Sequence, residues 1–136
     1  MTNAVPNIYP GFRYLDAPAA MKWLAAAFGF EEHFVVPGPD GTIAHAQMRL
    51  GSAMIMLGTG RDDRLGFKTP REAGCVTGGL YVYVPDVDAS YARAKAAGAE
   101  MIYELRDTEY GSREFACRDP EGYFWSFGTY DPTAHA

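Results

Sequence analysis

The residues best suited to chemistry are scattered singly along the chain. His45 is the best candidate for acid–base catalysis, because an imidazole titrates near neutral pH. A lone histidine on a strand is more often structural, so both interpretations of His45 stay open. Arg113 is the best anion anchor, since a guanidinium can grip a carboxylate or phosphate through two hydrogen bonds. Its alternative role is to pair with a nearby acid such as Glu114 or Asp107.

The two cysteines carry no sign of an activated nucleophile or a metal site. Cys75 and Cys117 lie far apart and form no Cys-x-x-Cys pair. Cys117 has no neighbouring histidine or basic pair in the sequence that would lower the pKa of its thiol. We interpret Cys117 as a small apolar filler. Both thiols are expected to be reduced in a cytoplasmic protein, with a disulfide between them as the open alternative.

Composition and charge argue against several function classes. The chain has 136 residues with 12 basic and 17 acidic side chains, a net charge of −5, and 14% aromatic residues. The basic residues are dispersed, so the electrostatic footprint of a nucleic-acid-binding protein is missing. No apolar run approaches the roughly 18 residues of a membrane span, and residues 1–6 lack the pattern of a signal peptide. We therefore expect a globular cytoplasmic protein without nucleic-acid or membrane partners.

The elements that must position these residues are repeated at an offset of about 70 residues. Asp16 and Asp86 each follow a β-favouring run and precede an alanine-rich stretch that stops at a glycine. Pro18 suits the first turn of a helix, where its missing N–H is no loss. Asp86 or Asp88 can accept hydrogen bonds from the free N–H groups at the start of the second helix. Both alanine-rich stretches are therefore predicted to be helices.

After each helix the pattern predicts a strand, then a hairpin and a final strand. Gly41 and Gly111 match at the same offset, as do the tight turns at residues 49–52 and 119–122. Each half is therefore predicted to be β-α-β-β-β, within one α+β domain that spans residues 1–136. The predicted parts are repeat one at about residues 7–58, a connection at 59–78 that is partly a lid, and repeat two at about 79–130.

Two tandem βαβββ modules resemble the vicinal-oxygen-chelate (VOC) superfamily of glyoxalase I, extradiol dioxygenases and bleomycin-resistance proteins. The stretch 86–100 and the closing hairpin 110–125 carry the likeness, and residues 28–32 and 45–48 resemble the glyoxalase-like subgroup that contains PhnB-type proteins. The resemblance covers about residues 7–130. It implies a glyoxalase/bleomycin resistance/dihydroxybiphenyl dioxygenase-like fold, in which the strands of both modules form a concave cavity. It also implies a homodimer.

Enzymes of this superfamily place up to four metal ligands in the cavity. By resemblance, these positions fall on Tyr9, Met56, Gly79 and Ser126 in this sequence. A divalent cation of this kind prefers His, Glu, Gln or Asp, and none of these occupies the four positions. The expectation is therefore a cavity without a metal ion and without any other cofactor.

Side chains alternate between the faces of a strand, so the same four positions predict which side chains line the cavity. The predicted lining combines aromatic and thioether side chains with a few polar groups, as small-molecule sites do. The methionines could equally be gap-filling core residues. The predicted lining comprises His45 as the catalytic candidate and, as ligand-binding residues, Tyr9, Arg13, Gln47, Met54, Met56, Tyr81, Tyr83, Arg113, Phe115, Phe124 and Ser126, with Cys117 on the same face.

The leading functional hypothesis is a metal-free binding protein, similar to bleomycin-resistance proteins, that holds a small aromatic or drug-like molecule between stacked side chains. One alternative is a VOC enzyme, namely a lyase, isomerase or dioxygenase with displaced metal ligands. A metal-independent enzyme that uses His45 with Arg113 is a variant of that alternative. A third possibility is a structural or regulatory dimer module whose cavity is vestigial.

Overall fold

The computed structural model describes residues 5–134. Residues 1–4, which form most of the segment predicted to lack a signal peptide, lie outside the described residues. The chain divides into two compact units. The first unit comprises the chain up to Ala25 together with Gly29–Thr69, and the second comprises Ala26–Phe28 together with the chain from Pro70 onward.

The first unit is built on a four-stranded mixed sheet. Its elements are β1 (Gly11–Tyr14), α1 (Ala17–Phe28, whose last turn is counted with the second unit), β2 (Glu31–Pro37), β3 (Ile43–Leu50) and β4 (Ala53–Thr59). The strand order is β1-β4-β3-β2, with β1 parallel to β4 and the other neighbours antiparallel. This is the predicted βαβββ module. The first strand is shorter than the predicted run, because pairing with β4 begins at Gly11.

Helix α1 begins and ends through local chemistry. The Asp16 carboxylate accepts a hydrogen bond from the Ala19 amide at 3.1 Å, and Gly29 ends the helix in the left-handed conformation at φ 87°. One face of the helix is buried together with one face of the sheet. The buried apolar side chains of this unit are Tyr14, Ala17, Ala20, Met21, Leu24, Phe30, Ala46, Met48, Ile55 and Leu57.

The second unit repeats this plan after the short helix α2 (Pro70–Ala73). It contains β5 (Gly79–Tyr83), α3 (Val87–Ala96), β6 (Glu100–Asp107), β7 (Arg113–Arg118) and β8 (Phe124–Gly128). The strand order is β5-β8-β7-β6, again with a single parallel pair, β5 with β8. Asp86 accepts a hydrogen bond from the Ala89 amide at 3.1 Å, the same cap that Asp16 makes in α1. The α+β fold of two βαβββ modules is confirmed.

Aromatic rings fill the core of the second unit. The Phe28 ring lies 5.0 Å from that of Trp125 and 4.7 Å from that of Phe127, between ring centroids. Phe115 stacks on Phe127 at 5.0 Å, with only 9° between the ring planes. The indole N–H of Trp125 donates to the buried Asp119 carboxylate at 3.1 Å, so the polar edge of the largest core side chain has a partner.

The repeat is not exact in strand β7, and this changes which side chains face the core. In the first unit Leu50 pairs with Ala53, so only residues 51–52 form the turn, whereas in the second unit Arg118 pairs with Phe124 and residues 119–123 form it. The longer loop moves β7 by one residue against β8. Because strand side chains alternate, a shift of one residue turns every side chain of β7 to the opposite face. Within the part of the chain that the structure describes, no helix is both long and apolar enough to cross a membrane.

Candidate functional site

The sheet of the first unit has one buried face and one face that carries the predicted site residues of β1, β3 and β4, which we call the first open face. Its members share a face because of the register: Gln47 pairs with Met56 across β3 and β4, and Arg49 pairs with Met54. Two further pairs place Arg13 beside Gly58 and His45 beside Val36. By these pairs, the members of the first open face are Arg13, Val36, His45, Gln47, Arg49, Met54, Met56 and Gly58.

A cavity of about 250 Å³ lies on the first open face. Side chains from β1, β3 and β4 line one side, and the segment after β4 lines the other. Arg13, His45 and Met56, all predicted site residues, meet here. The remaining lining residues are Gly11, Phe12, Ala44, Leu57, Gly58, Arg61, Leu65 and Phe67.

Arg13 is the most deeply buried charged side chain of this cavity, with 8% of its surface exposed. Its Nη2 donates to Asp63 Oδ2 at 3.3 Å, and its guanidinium carbon lies 5.5 Å from the centre of the Phe67 ring. Burial raises the pKa of Asp63, but hydrogen bonds from the Leu65 amide and from Arg13, with the charge of Arg13, outweigh it. The pKa of Asp63 is therefore below its ordinary value, and the residue is a carboxylate at neutral pH.

His45 belongs to a short polar chain on the same face. Its Nε2 lies 3.3 Å from Gln47 Oε1, and the Gln47 amide nitrogen donates to Met54 Sδ at 3.2 Å. An amide oxygen only accepts hydrogen bonds, so this contact requires the proton on Nε2. His45 therefore lies beside the cavity with a polar partner, an arrangement that suits either binding or proton transfer.

The sheet of the second unit also has an open face, which we call the second open face. Gly79 pairs with Phe124 and Tyr81 pairs with Ser126 across β5 and β8, while Tyr83 lies further along the same face. A cavity of about 450 Å³ on this face is lined by Val76, Gly78, Gly79, Leu80, Tyr81, Phe124 and Ser126. Tyr81, Phe124 and Ser126 are brought together as predicted, whereas Tyr83 lies outside the lining.

Tyr81 is fixed at the edge of this cavity by its hydroxyl group, which donates to the Tyr130 carbonyl at 2.6 Å. Burial raises the pKa of Tyr81, and the neighbouring charge of Glu114 raises it further. The phenol is therefore neutral over the physiological range. Its ring is held in place rather than free to rotate into solvent.

Two predicted site residues are placed wrongly, Phe115 and Arg113. Phe115 is 1% exposed and belongs to the core, where its ring also meets that of Tyr91 on α3. Arg113 reaches Asp88 and Asp107 with nitrogen–oxygen distances of 3.1 Å. The cause is the one-residue shift of β7, which turns both side chains away from the second open face. The alternative that Arg113 pairs with Asp107 is confirmed.

Cys117 is turned to the core by the same shift. The thiol is fully buried, and burial, followed by the charge of Asp119, raises its pKa to about 12. A thiol with this pKa stays protonated at neutral pH and is a poor nucleophile. Both Cys117 and the exposed Cys75 are free, so the alternative of a disulfide is wrong.

Tyr9 is half-buried and precedes β1, so it does not lie on a strand as predicted.

The open faces also contain residues that the sequence pattern did not predict. Glu114, whose carboxylate accepts a hydrogen bond from the Tyr110 hydroxyl at 2.7 Å, takes the place predicted for its neighbours on β7. The length of the 119–123 turn, compared with the turn at 51–52, was the signal that could have revealed it. Asp63 and Phe67 were missed because no local pattern shows that their segment covers a sheet.

Comparison with known proteins gives a clear result for the family. The model of the Glyoxalase/Bleomycin resistance protein/Dioxygenase superfamily matches residues 10–127. The chain belongs to this superfamily. An uncharacterized protein of Mycobacterium bovis is 35% identical to this VOC protein over 128 residues, which cover 93% of this chain and 84% of the relative.

Several solved structures share the fold. TioX from Micromonospora sp. ML1 superposes with a TM-score of 0.72 at 30% identity, over 90% of this chain and 94% of TioX. The fosfomycin resistance protein FosX from Mesorhizobium loti superposes with a TM-score of 0.66 at 15% identity, over 98% of each chain. A PhnB protein from Bacillus cereus gives a TM-score of 0.67 at 16% identity, over 90% of this chain and 98% of its own. The last two likenesses show the fold alone.

Three of the four positions that correspond by resemblance to the metal ligands of VOC enzymes, namely Met56, Gly79 and Ser126, do not fit a metal ion here. Gly79 has no side chain, and a Cβ at this position would lie 2.4 Å from Phe124 Cδ1, so the Phe124 ring occupies the space that a ligand side chain would need. The Ser126 hydroxyl donates to the Leu80 carbonyl at 3.3 Å, and Met56 offers only a soft thioether. Among residues 5–134, no three His, Cys, Asp or Glu side chains group where they could hold an ion.

Proposed function

We propose that this VOC protein binds a small molecule with an aromatic part, without a metal ion, on the open faces of its sheets. The observation that carries the proposal is the cavity of about 450 Å³ whose lining includes the side chains of both Tyr81 and Phe124. Its volume lies within the range of small-molecule sites, roughly 300–1,000 Å³. Phe124 fills the place of a metal ligand with an aromatic surface. A planar ligand would therefore find stacking partners where VOC enzymes have an ion.

The binding proposal is tested by isothermal titration calorimetry with neutral planar aromatic compounds. Tyr81→Ala removes the ring, whereas the matched variant Tyr81→Phe removes only the hydroxyl group that donates to Tyr130. An aromatic contact contributes about 0.5–1.5 kcal/mol, so Tyr81→Ala should weaken binding by roughly 2- to 13-fold and Tyr81→Phe should not. Equal affinities for the two variants would contradict stacking on Tyr81.

The metal-free part of the proposal has its own measurement. Equilibrium dialysis against Mn²⁺, Zn²⁺ and Ni²⁺, followed by elemental analysis, should leave less than one ion per chain. Thermal denaturation with the same ions should show no rise in Tm, because an ion that binds only the native state must stabilise it. A tightly held stoichiometric ion would refute this part and favour a VOC enzyme with displaced ligands.

A second candidate function is metal-independent acid–base catalysis, since His45 lines the cavity of the first unit in contact with the Gln47 amide group. His45→Gln removes the basic nitrogen while keeping a side chain that can bind by hydrogen bonds. If the protein is an isomerase or lyase of this kind, the variant should lose turnover and retain ligand affinity. If the native protein shows no turnover and His45→Gln only lowers its ligand affinity, the result would favour a binding protein.

We further propose that the protein acts in the cytoplasm as a homodimer, bound to a small molecule rather than to nucleic acid or a membrane. The net charge of −5 supports the lack of a nucleic-acid partner, because polyanions repel an acidic protein. Light scattering coupled to gel filtration measures the oligomeric state. A monomer at micromolar concentration would contradict the dimer.

A further inference from the structure

The buried guanidinium of Arg13 is stable only beside a negatively charged group. Arg13 lies on the first open face, in line with Gly58 of β4, and only 8% of its surface is exposed. A charge removed from water is costly unless an opposite charge and hydrogen bonds compensate for it. Whatever occupies this cavity must therefore present a negative group at Arg13.

The chain itself supplies such a group, from residues 60–67, which we call the Asp63 loop. The Asp63 carboxylate bonds to Arg13 Nη2, and the Phe67 ring lies against the same guanidinium, 5.5 Å from its carbon. A carboxylate and an aromatic ring, held together on one cation, are the two parts of an aromatic acid. The pairing is not optimal, because 3.3 Å is longer than the roughly 2.7–2.9 Å of a charge-assisted hydrogen bond.

The Asp63 loop would lose little burial by moving. Leu65 is 65% exposed and Phe67 48% exposed, so about half or more of the surface of each of these apolar residues is already in water. Asp63 also organises the loop internally, since its carboxylate accepts from the Leu65 amide at 3.1 Å and its carbonyl accepts from the Gly66 amide at 3.2 Å. Departure of residues 61–67 would break the long hydrogen bond from Arg61 to the Ala44 carbonyl, at 3.4 Å. It would keep the turn of the loop and the backbone hydrogen bond from Gly60 to the Tyr14 carbonyl at the start of the loop.

We propose that the cavity of the first unit binds an aromatic carboxylate, and that the Asp63 loop occupies the same place through Asp63 and Phe67 until such a ligand displaces it. The inference rests on the proposed binding function and specifies its ligand class. The ligand carboxylate takes the position of the Asp63 carboxylate on Arg13. Its ring takes the position of Phe67, beside His45 and Met56.

The test is calorimetric titration of the full chain with 2-naphthoate and with 2-naphthamide, which has the same rings without the charge. The native protein should bind naphthoate about tenfold or more tightly than naphthamide, as expected for a hydrogen bond between charged groups. Asp63→Asn removes the competing carboxylate and should tighten naphthoate binding by about tenfold, the gain expected if the loop fills the site roughly nine-tenths of the time.

The matched control is Asp62→Asn, which makes the same charge change at the exposed neighbour of Asp63. It should leave the affinity for naphthoate unchanged, which separates local competition from the effect of net charge. Arg13→Gln should make the affinities for naphthoate and naphthamide equal. Because Arg13 is buried, this variant could fail to fold, whereas the partly exposed Asp63 makes Asp63→Asn an independent test.

The outcomes separate this inference from the binding function itself. Equal binding of naphthoate and naphthamide to the native protein would overturn the carboxylate class and leave a binding protein. An equal response of Asp63→Asn and Asp62→Asn would overturn the competition. Failure of naphthoate to bind either the native protein or Asp63→Asn would overturn the inference as a whole. Binding of neutral aromatic compounds that depends on Tyr81 would still support the proposed function in that case.

Discussion

Truncation of Phe115 tests the most consequential assignment in the second unit, the orientation of strand β7. If Phe115 belongs to the core, Phe115→Ala removes a side chain that is 1% exposed, stacked on Phe127 and in contact with Tyr91. Removal of such a phenylalanine costs about 3–5 kcal/mol, of which each aromatic contact contributes about 0.5–1.5 kcal/mol. If Phe115 faced the open cavity, most of that loss would not occur.

The assay is urea denaturation followed by circular dichroism, with the free energy of unfolding taken from the midpoint and the slope. At about 3 °C per kcal/mol for a chain of this size, Phe115→Ala should also lower Tm by roughly 9–15 °C. The control is Tyr103→Ala on β6 of the same sheet, where the side chain is 54% exposed and its loss should cost less than about 1 kcal/mol. A loss below about 1 kcal/mol for Phe115→Ala would refute the assignment of β7.

Three further predictions follow from the same contacts. Cys75 should react with a thiol reagent at pH 8, whereas Cys117 should react only when the protein unfolds. Because folding raises the pKa of Cys117 to about 12, the free energy of unfolding should be unaffected by this thiol below its unfolded pKa near 9 and should fall as the pH rises from 9 toward 12, as measured by denaturation across that range. Gly79→Ala should destabilise the fold by about 1–3 kcal/mol and weaken the binding of ligands to the cavity on the second open face, since the new Cβ would lie 2.4 Å from Phe124 Cδ1. An unchanged affinity in calorimetry would be evidence against ligand binding in that cavity. Arg113→Gln should leave ligand affinity unchanged and make the free energy of unfolding less dependent on salt, because Arg113 forms ion pairs with exposed acidic side chains. A loss of affinity would indicate that Arg113 takes part in ligand binding after all.

Local chemistry in the sequence determined the elements of this protein and their order. Asp16 and Asp86 precede equivalent helices and cap both, and the β-α-β-β-β order of each half follows from features that act over a few residues. The side chains of β5 and β8 also face as predicted, because Tyr81 and Ser126 lie on strands whose register is that of the repeat. The interactions that form these elements are short-range, so the order of neighbouring residues in the sequence is enough to predict them.

The tertiary structure decided what the pattern could not carry. The longer turn at residues 119–123 moves β7 by one residue, and the alternation of strand side chains then turns Phe115 and Arg113 away from the open face. Asp63 contacts Arg13 although the two residues are 50 positions apart in the sequence. The contact depends on the path of a loop that has no repeating sequence pattern, so the sequence did not predict it. Register and long-range closure depend on how strands meet in space, and a repeat in the sequence predicts them only where the repeat is exact.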